Sequence, residues 1–79
     1  MKNIEKKIKK IISQITEIEL KKINNTDFLI KDLNLDSLDI IEITMALEDI
    51  FKIEISDEEI EQFKTINSII EYIKLKKNK

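Results

Sequence analysis

The sequence contains no cysteine, histidine, glycine, proline, tryptophan or arginine. Without cysteine or histidine, neither a disulfide nor the usual zinc ligand sets can form. A serine or cysteine nucleophile has no imidazole to activate it, and the protein supplies no thiol of its own. Without glycine, the phosphate loops of nucleotide-binding proteins are excluded, since their backbones must approach phosphates closely. No run of 18 apolar residues is present, and the lysine-rich start lacks the apolar segment of a signal peptide. The expected location is the cytoplasm, or an organelle if a transit peptide has been removed.

What remains is a single small domain over 1–79, whose stability must come from packed apolar side chains. Ile4, Ile8, Ile11, Ile12, Ile15 and Ile18 form one stripe at helical spacing, with lysines opposite, and predict a helix over about 3–18. The period breaks from Glu19 to Leu35, so this segment reads as a long loop with at most one helical turn. Phe28 and Leu33 are expected to anchor it to the bundle. A second helix is expected at about 37–51, capped by Asp36 or Ser37, with Asp39 at the positive end of its dipole. Its apolar residues exceed one buried stripe, so some should face outward.

Ser56-Asp57-Glu58-Glu59 has the capping-box pattern and predicts a short helix at about 57–62. Thr65 is positioned to cap a last helix at about 66–76, whose Ile66, Ile69, Ile70 and Ile73 form another apolar stripe. Lys74, Lys76, Lys77 and Lys79 suit its negative end. The fold class is therefore all-α, a small bundle of three main helices plus one short helix, with a long loop between the first two.

The net charge of −2 conceals a segregation. Residues 26–62 hold twelve carboxylates and two lysines, a local charge of −10. The rest holds twelve lysines and four carboxylates, or +8. Such an acidic block attracts basic partners and speeds their association, an effect that weakens as salt rises. The basic ends carry lysine without arginine or interleaved aromatics, so nucleic acid is not an expected partner. Neither membrane insertion nor oligomerisation is expected.

The segment from Asp32 to Glu61 reads DLNLDSLDIIEITMALEDIFKIEISDEEIE. It resembles the acyl carrier proteins, which typically show Asp-Leu-Gly-x-Asp-Ser-Leu-Asp, then a Glu-rich helix with Met-Ala-Leu and Phe, then Ile-x-Ile-Pro-Asp-Glu. The segment from Thr65 to Ile73 resembles the family's last helix, so the likeness covers nearly the whole chain. The resemblance implies that Ser37 carries a covalent 4′-phosphopantetheine, whose thiol holds acyl groups as thioesters for fatty acid biosynthesis. It also implies a carrier that is not an enzyme, with no catalytic or metal-binding residues.

The same resemblance assigns Asp36, Leu38 and Asp39 to recognition by a phosphopantetheinyl transferase. Glu42, Glu48 and Asp49 would meet basic docking patches on fatty acid synthase enzymes and acyltransferases, with Ile41 and Met45 as apolar contacts beside them. Ala46, Leu47, Ile55, Phe63, Ile69 and Ile73 would shelter the acyl chain. The chemistry is coherent unaided: a chain without cysteine must import its thiol, and the free N–H groups at a helix start tolerate a phosphate. Taken out of this frame, Ser37 is simply an N-cap.

Other readings are a carrier for polyketide, non-ribosomal peptide or D-alanyl transfer, or an arm-less helical interaction module. A calcium loop fits less well. Asp32, Asn34 and Asp36 have the spacing of its first ligands, but Ser37 replaces the glycine of the turn and Ile43 the bidentate glutamate. Against the family pattern, Asn34 and Lys52 replace glycines and Ser56 replaces proline. Asparagine is the next-best residue for a left-handed turn, and serine supplies a capping hydroxyl in proline's place. Ile40 and Ile50 make the second helix more apolar than usual, and Ile69 reduces the space for an acyl chain.

Overall fold

The computed structural model describes residues 2–77, with side chains from 4 to 77. Lys79, assigned above to the basic tail, lies outside the described residues. Four helices follow one another: α1 (Lys2–Thr16), α2 (Ser37–Phe51), α3 (Asp57–Ile60) and α4 (Ile66–Lys77). Among the described residues there is no strand, only an isolated bridge between Phe28 and Thr65. The fold is the all-α bundle that the periodicities predict.

Each helix ends where local chemistry ends it. α1 stops two residues short of the expected limit because Glu17 turns left-handed, with φ of 64°. Its N–H still donates to the Ser13 carbonyl at 2.8 Å, while the Thr16 hydroxyl accepts from the Ile18 N–H at 3.2 Å. These bonds satisfy groups that the last helical turn leaves open. α3 is shorter than expected because the chain tightens into i→i+3 bonds: Gln62 N–H donates to the Glu59 carbonyl and Phe63 N–H to Ile60, both at 3.0 Å. At the start of α4, Thr65 Oγ1 accepts from the Ser68 N–H at 3.1 Å, and Ser68 Oγ accepts in return from the Thr65 N–H at 3.0 Å.

The core draws on every helix except the short α3. Ile8, Ile11 and Ile12 of α1 meet Ile43, Leu47 and Phe51 of α2 and Ile66, Ile69, Ile70 and Ile73 of α4. A side chain of this size, fully buried, contributes about 1.5–3 kcal/mol. Lys7 stands over the Phe51 ring at 5.9 Å, and Lys77 Nζ donates to the Phe51 carbonyl at 3.2 Å. The start of α1 and the end of α4 therefore meet at the close of α2. α1 runs antiparallel to the other two long helices.

The long loop adds Ile23, Leu29, Leu33 and Leu35 to the core and includes one 3-10 turn at Leu20–Lys22. Its anchors differ in part from the expectation. Leu33 is buried, but Phe28 is 48% exposed and the adjacent Leu29, at 1%, takes the interior place. The cause is backbone pairing with the entry to α4. Leu29 N–H donates to the Lys64 carbonyl at 2.9 Å, and Ile66 N–H to Asp27 at 3.2 Å. This short extended contact sends successive side chains to opposite sides.

Asn34 and Lys52, standing at the two expected glycine sites, both take left-handed backbone, with φ of 58° and 57°. Asparagine tolerates this conformation, whereas lysine carries a Cβ penalty of roughly 1 kcal/mol or more. Lys52→Gly should therefore stabilise the fold by up to about 1 kcal/mol, offset in part by the entropy glycine gains on unfolding. The urea midpoint measures it.

Candidate functional site

Ser37 is the first residue of α2 and is exposed. Asp36, not Ser37, is the cap: its Oδ1 accepts from the Asp39 N–H at 2.9 Å, and Asp39 Oδ2 accepts from the Asp36 N–H at 3.2 Å. This reciprocal pair leaves the Ser37 hydroxyl uncommitted, with no hydrogen bond to any of the described residues. Two carboxylates assigned to enzyme recognition thus also hold the helix start together as a capping box.

Along α2, Leu38, Ile41 and Met45 lie on one outward stripe, 71%, 48% and 61% exposed. Glu42 and Asp49 are exposed beside them, as spacings of three, four and seven residues require. Glu48 differs from these two. It is half-buried, and its Oε2 accepts from the Ile55 N–H at 2.8 Å, tying the end of α2 to the segment before α3. Nothing in the sequence marks this contact, because it joins residues seven apart across a reversal of the chain.

Ser37 also lines a groove of about 660 Å³ whose walls come from three parts of the chain. Ile40 and Ile41 contribute from α2, Phe28 and Ile30 from the loop, and Ile60 and Phe63 from around α3. Lys31, Glu61 and Lys64 complete its lining. Of the six residues assigned to an acyl pocket, Phe63 alone lines this groove. Leu47, Ile69 and Ile73 are fully buried in the core, Ala46 is half-buried on α2, and Ile55 faces a second depression beside Glu48 and Glu59. The loop side of the groove was not legible in the sequence, since it depends on the pairing of Phe28 with Thr65.

The calcium-loop pattern meets a competing use of its first ligand: Asp32 Oδ2 accepts from the Phe28 N–H at 2.7 Å. No cluster suited to a metal ion occurs among the described residues.

One carboxylate fastens α3 to α4. Glu59 Oε1 accepts from the Ser56 N–H at 3.0 Å and from the Tyr72 hydroxyl at 2.9 Å, and Lys76 Nζ stands 3.8 Å from Oε2. The Ser56 backbone bond, then the Tyr72 bond, hold the Glu59 carboxyl below its ordinary 4.5. Burial and this same carboxylate raise the Tyr72 phenol, so Tyr72 remains the donor. The Tyr72 ring also packs edge-on against Phe63, their centroids 5.2 Å apart.

With its folded value depressed, Glu59 contributes stability that is fully present above about 4.5 and is lost as pH falls through the lower folded value. In acid titrations, Glu59→Gln should lack this loss while retaining the opposing gain as the other carboxylates shed their repulsion. Tyr72 fluorescence followed from pH 6 to about pH 3 makes the comparison.

A family model described as a phosphopantetheine attachment site matches residues 6–73. An acyl carrier protein of Buchnera aphidicola from Schizaphis graminum is 52% identical over 79 residues, covering 100% of both chains. That of Buchnera aphidicola from Baizongia pistaciae is 54% identical over 74 residues, 94% of this chain and 95% of its own. Among solved structures, the solution structure of a protein described as an acyl carrier protein from Anaplasma phagocytophilum superposes with a TM-score of 0.84. The two share 33% identity over 92% of this chain and 86% of that one.

Proposed function

As this chain belongs to the acyl carrier proteins, which bear acyl groups on a covalent 4′-phosphopantetheine arm, we propose that Ser37 is where the arm is attached. The observation that carries this reading is an exposed hydroxyl on the first residue of α2, released from capping by Asp36 and opening onto an apolar groove. The residues present fit the group. The free N–H groups of a first helical turn favour a phosphate, and no side chain covers the oxygen that must be modified. Once attached, the arm supplies the thiol that this chain lacks. The chain itself contributes position and recognition, and catalysis belongs to the enzymes that visit it.

Those enzymes are a phosphopantetheinyl transferase, the enzymes of fatty acid synthesis and acyltransferases, each meeting α2 with a basic patch. Leu38, Ile41 and Met45 offer an apolar stripe, and methionine in particular adapts to several partners. Glu42 and Asp49 supply charge on either side. The groove beside Ser37 and the core around Leu47 and Ile69 are two successive shelters for an acyl chain, the second requiring the helices to part. The carrier works as a monomer in the cytoplasm, or in an organelle if a leader has been removed.

Glu42→Lys should lower the rate of loading by partner enzymes about tenfold at low salt and leave the melting temperature unchanged, the difference shrinking as salt rises. Rates equal to the parent's at every salt concentration contradict the electrostatic part of the reading. Glu48→Lys is the poorer probe, since it also removes the acceptor of the Ile55 N–H. The intact mass of the protein from its native cell tests the function as a whole. An arm bearing a ladder of saturated acyl groups supports fatty acid synthesis, whereas aminoacyl or peptidyl adducts, or no arm, overturn it.

A further inference from the structure

The side of the molecule built by α1 bears the opposite charge from α2, and the fold concentrates it. α1 exposes Lys6, Lys7 and Lys10. The Leu20–Lys22 turn folds back beside the first half of that helix, so that Lys6, Lys9, Leu20 and Lys21 rim one cavity with Glu5. Residues 4–22 hold six lysines (Lys6, Lys7, Lys9, Lys10, Lys21 and Lys22) against three carboxylates. Two of the three are already engaged: Glu5 with Lys9 at 3.4 Å and Asn25 at 3.0 Å, and Glu19 with Lys22 at 3.8 Å. Among the lysines sits Leu20, 40% exposed, on a turn that buries none of its residues.

We propose that this face docks the carrier reversibly on an anionic phospholipid surface, with the lysines meeting headgroup phosphates and Leu20 entering the boundary with the acyl chains. A lysine near such a surface contributes attraction that fades within a Debye length, about 8 Å at physiological salt. The lysine-bearing ends of α1 and α4 meet at Phe51, and the 15 residues of α2 put Ser37 about 21 Å from it. Asp36 and Asp39 beside Ser37 are thus screened from a surface held by the α1 lysines. Asp49 and Glu54, exposed near Phe51, are closer, so the docking face is the outer side of α1. A net charge of −2 therefore does not prevent docking.

Two other polyanions fit this face less well. Nucleic acid has no use for an exposed leucine, and the face carries neither arginine nor an aromatic ring for the bases. The acidic side of a second copy would pair head to tail, in a contact that does not close and that covers the surroundings of Ser37.

Co-sedimentation of the full-length protein, its arm present but unacylated, with vesicles of phosphatidylglycerol or phosphatidylcholine tests the proposal. Binding is expected to phosphatidylglycerol alone, at low salt, and to vanish near 1 M salt, where the Debye length is about 3 Å. Lys6→Gln, Lys10→Gln and Lys21→Gln should each weaken it about fivefold. Leu20→Ser should weaken it severalfold. The proposal is overturned by no binding at low salt, by equal binding to both vesicles, or by a triple lysine variant that binds like the parent. Lysine-dependent self-association in sedimentation velocity without vesicles overturns it in favour of a second copy, and tighter retention on single-stranded RNA in favour of nucleic acid.

Discussion

Incubated with coenzyme A and an active phosphopantetheinyl transferase, the protein gains the mass of one phosphopantetheine, and Ser37→Ala gains none. The expected loss is complete because the hydroxyls of the other serines, Ser13, Ser56 and Ser68, are each engaged in a hydrogen bond. The variant remains folded. Ser37 is exposed and the helix is capped by Asp36, so losing the hydroxyl should change stability by less than about 0.5 kcal/mol. Asp36→Ala measures the cap: it keeps the hydroxyl but loses the acceptor of the Asp39 N–H, at a cost of about 1 kcal/mol. A mass gain surviving in Ser37→Ala, with the arm located on another residue by peptide mapping, would refute the assignment.

Leu47→Ala should destabilise the fold by about 3 kcal/mol. Leu47 is wholly buried where α2 packs into the core, and its loss leaves a cavity that the surrounding isoleucines fill incompletely, being stiff at the β-carbon. For a chain of this length the total stability is about 4–12 kcal/mol, and no disulfide shares the burden. The melting temperature should fall by roughly 4–8 °C for each kcal/mol. Met45→Ala, two residues away on the exposed stripe, should lie within about 0.5 kcal/mol of the parent. Equal effects at the two positions would show that α2 presents a different face to the core.

The contrast between Leu47 and Met45 shows how far the sequence of α2 could be read. Its apolar residues outnumber one stripe, so the pattern predicts an outward set without choosing its members; packing into the core shared with α1 and α4 makes the choice. In α1 a single clean isoleucine stripe leaves less to decide, and Ile8, Ile11 and Ile12 are buried as read. The loop was read least well. Phe28 outranks Leu29 in size, but backbone pairing with Lys64 and Ile66 sets which side each faces.

Determined by the sequence alone were the all-α class, the caps at Ser56 and Thr65, a cap for α2 at Asp36 or Ser37, the left-handed turn at Asn34 and the serine at a helix start. All of these follow from interactions between residues a few positions apart, which spacing encodes directly. Only the tertiary structure decided that Glu48 holds Ile55, that Glu59 fastens α3 to Tyr72, and that loop, α2 and α3 enclose a groove beside Ser37. It likewise gathered lysines of α1 and the loop around Leu20. These contacts join segments whose separation along the chain carries no period. They form because burying the isoleucine stripes against one another leaves few other places for the connecting segments to lie.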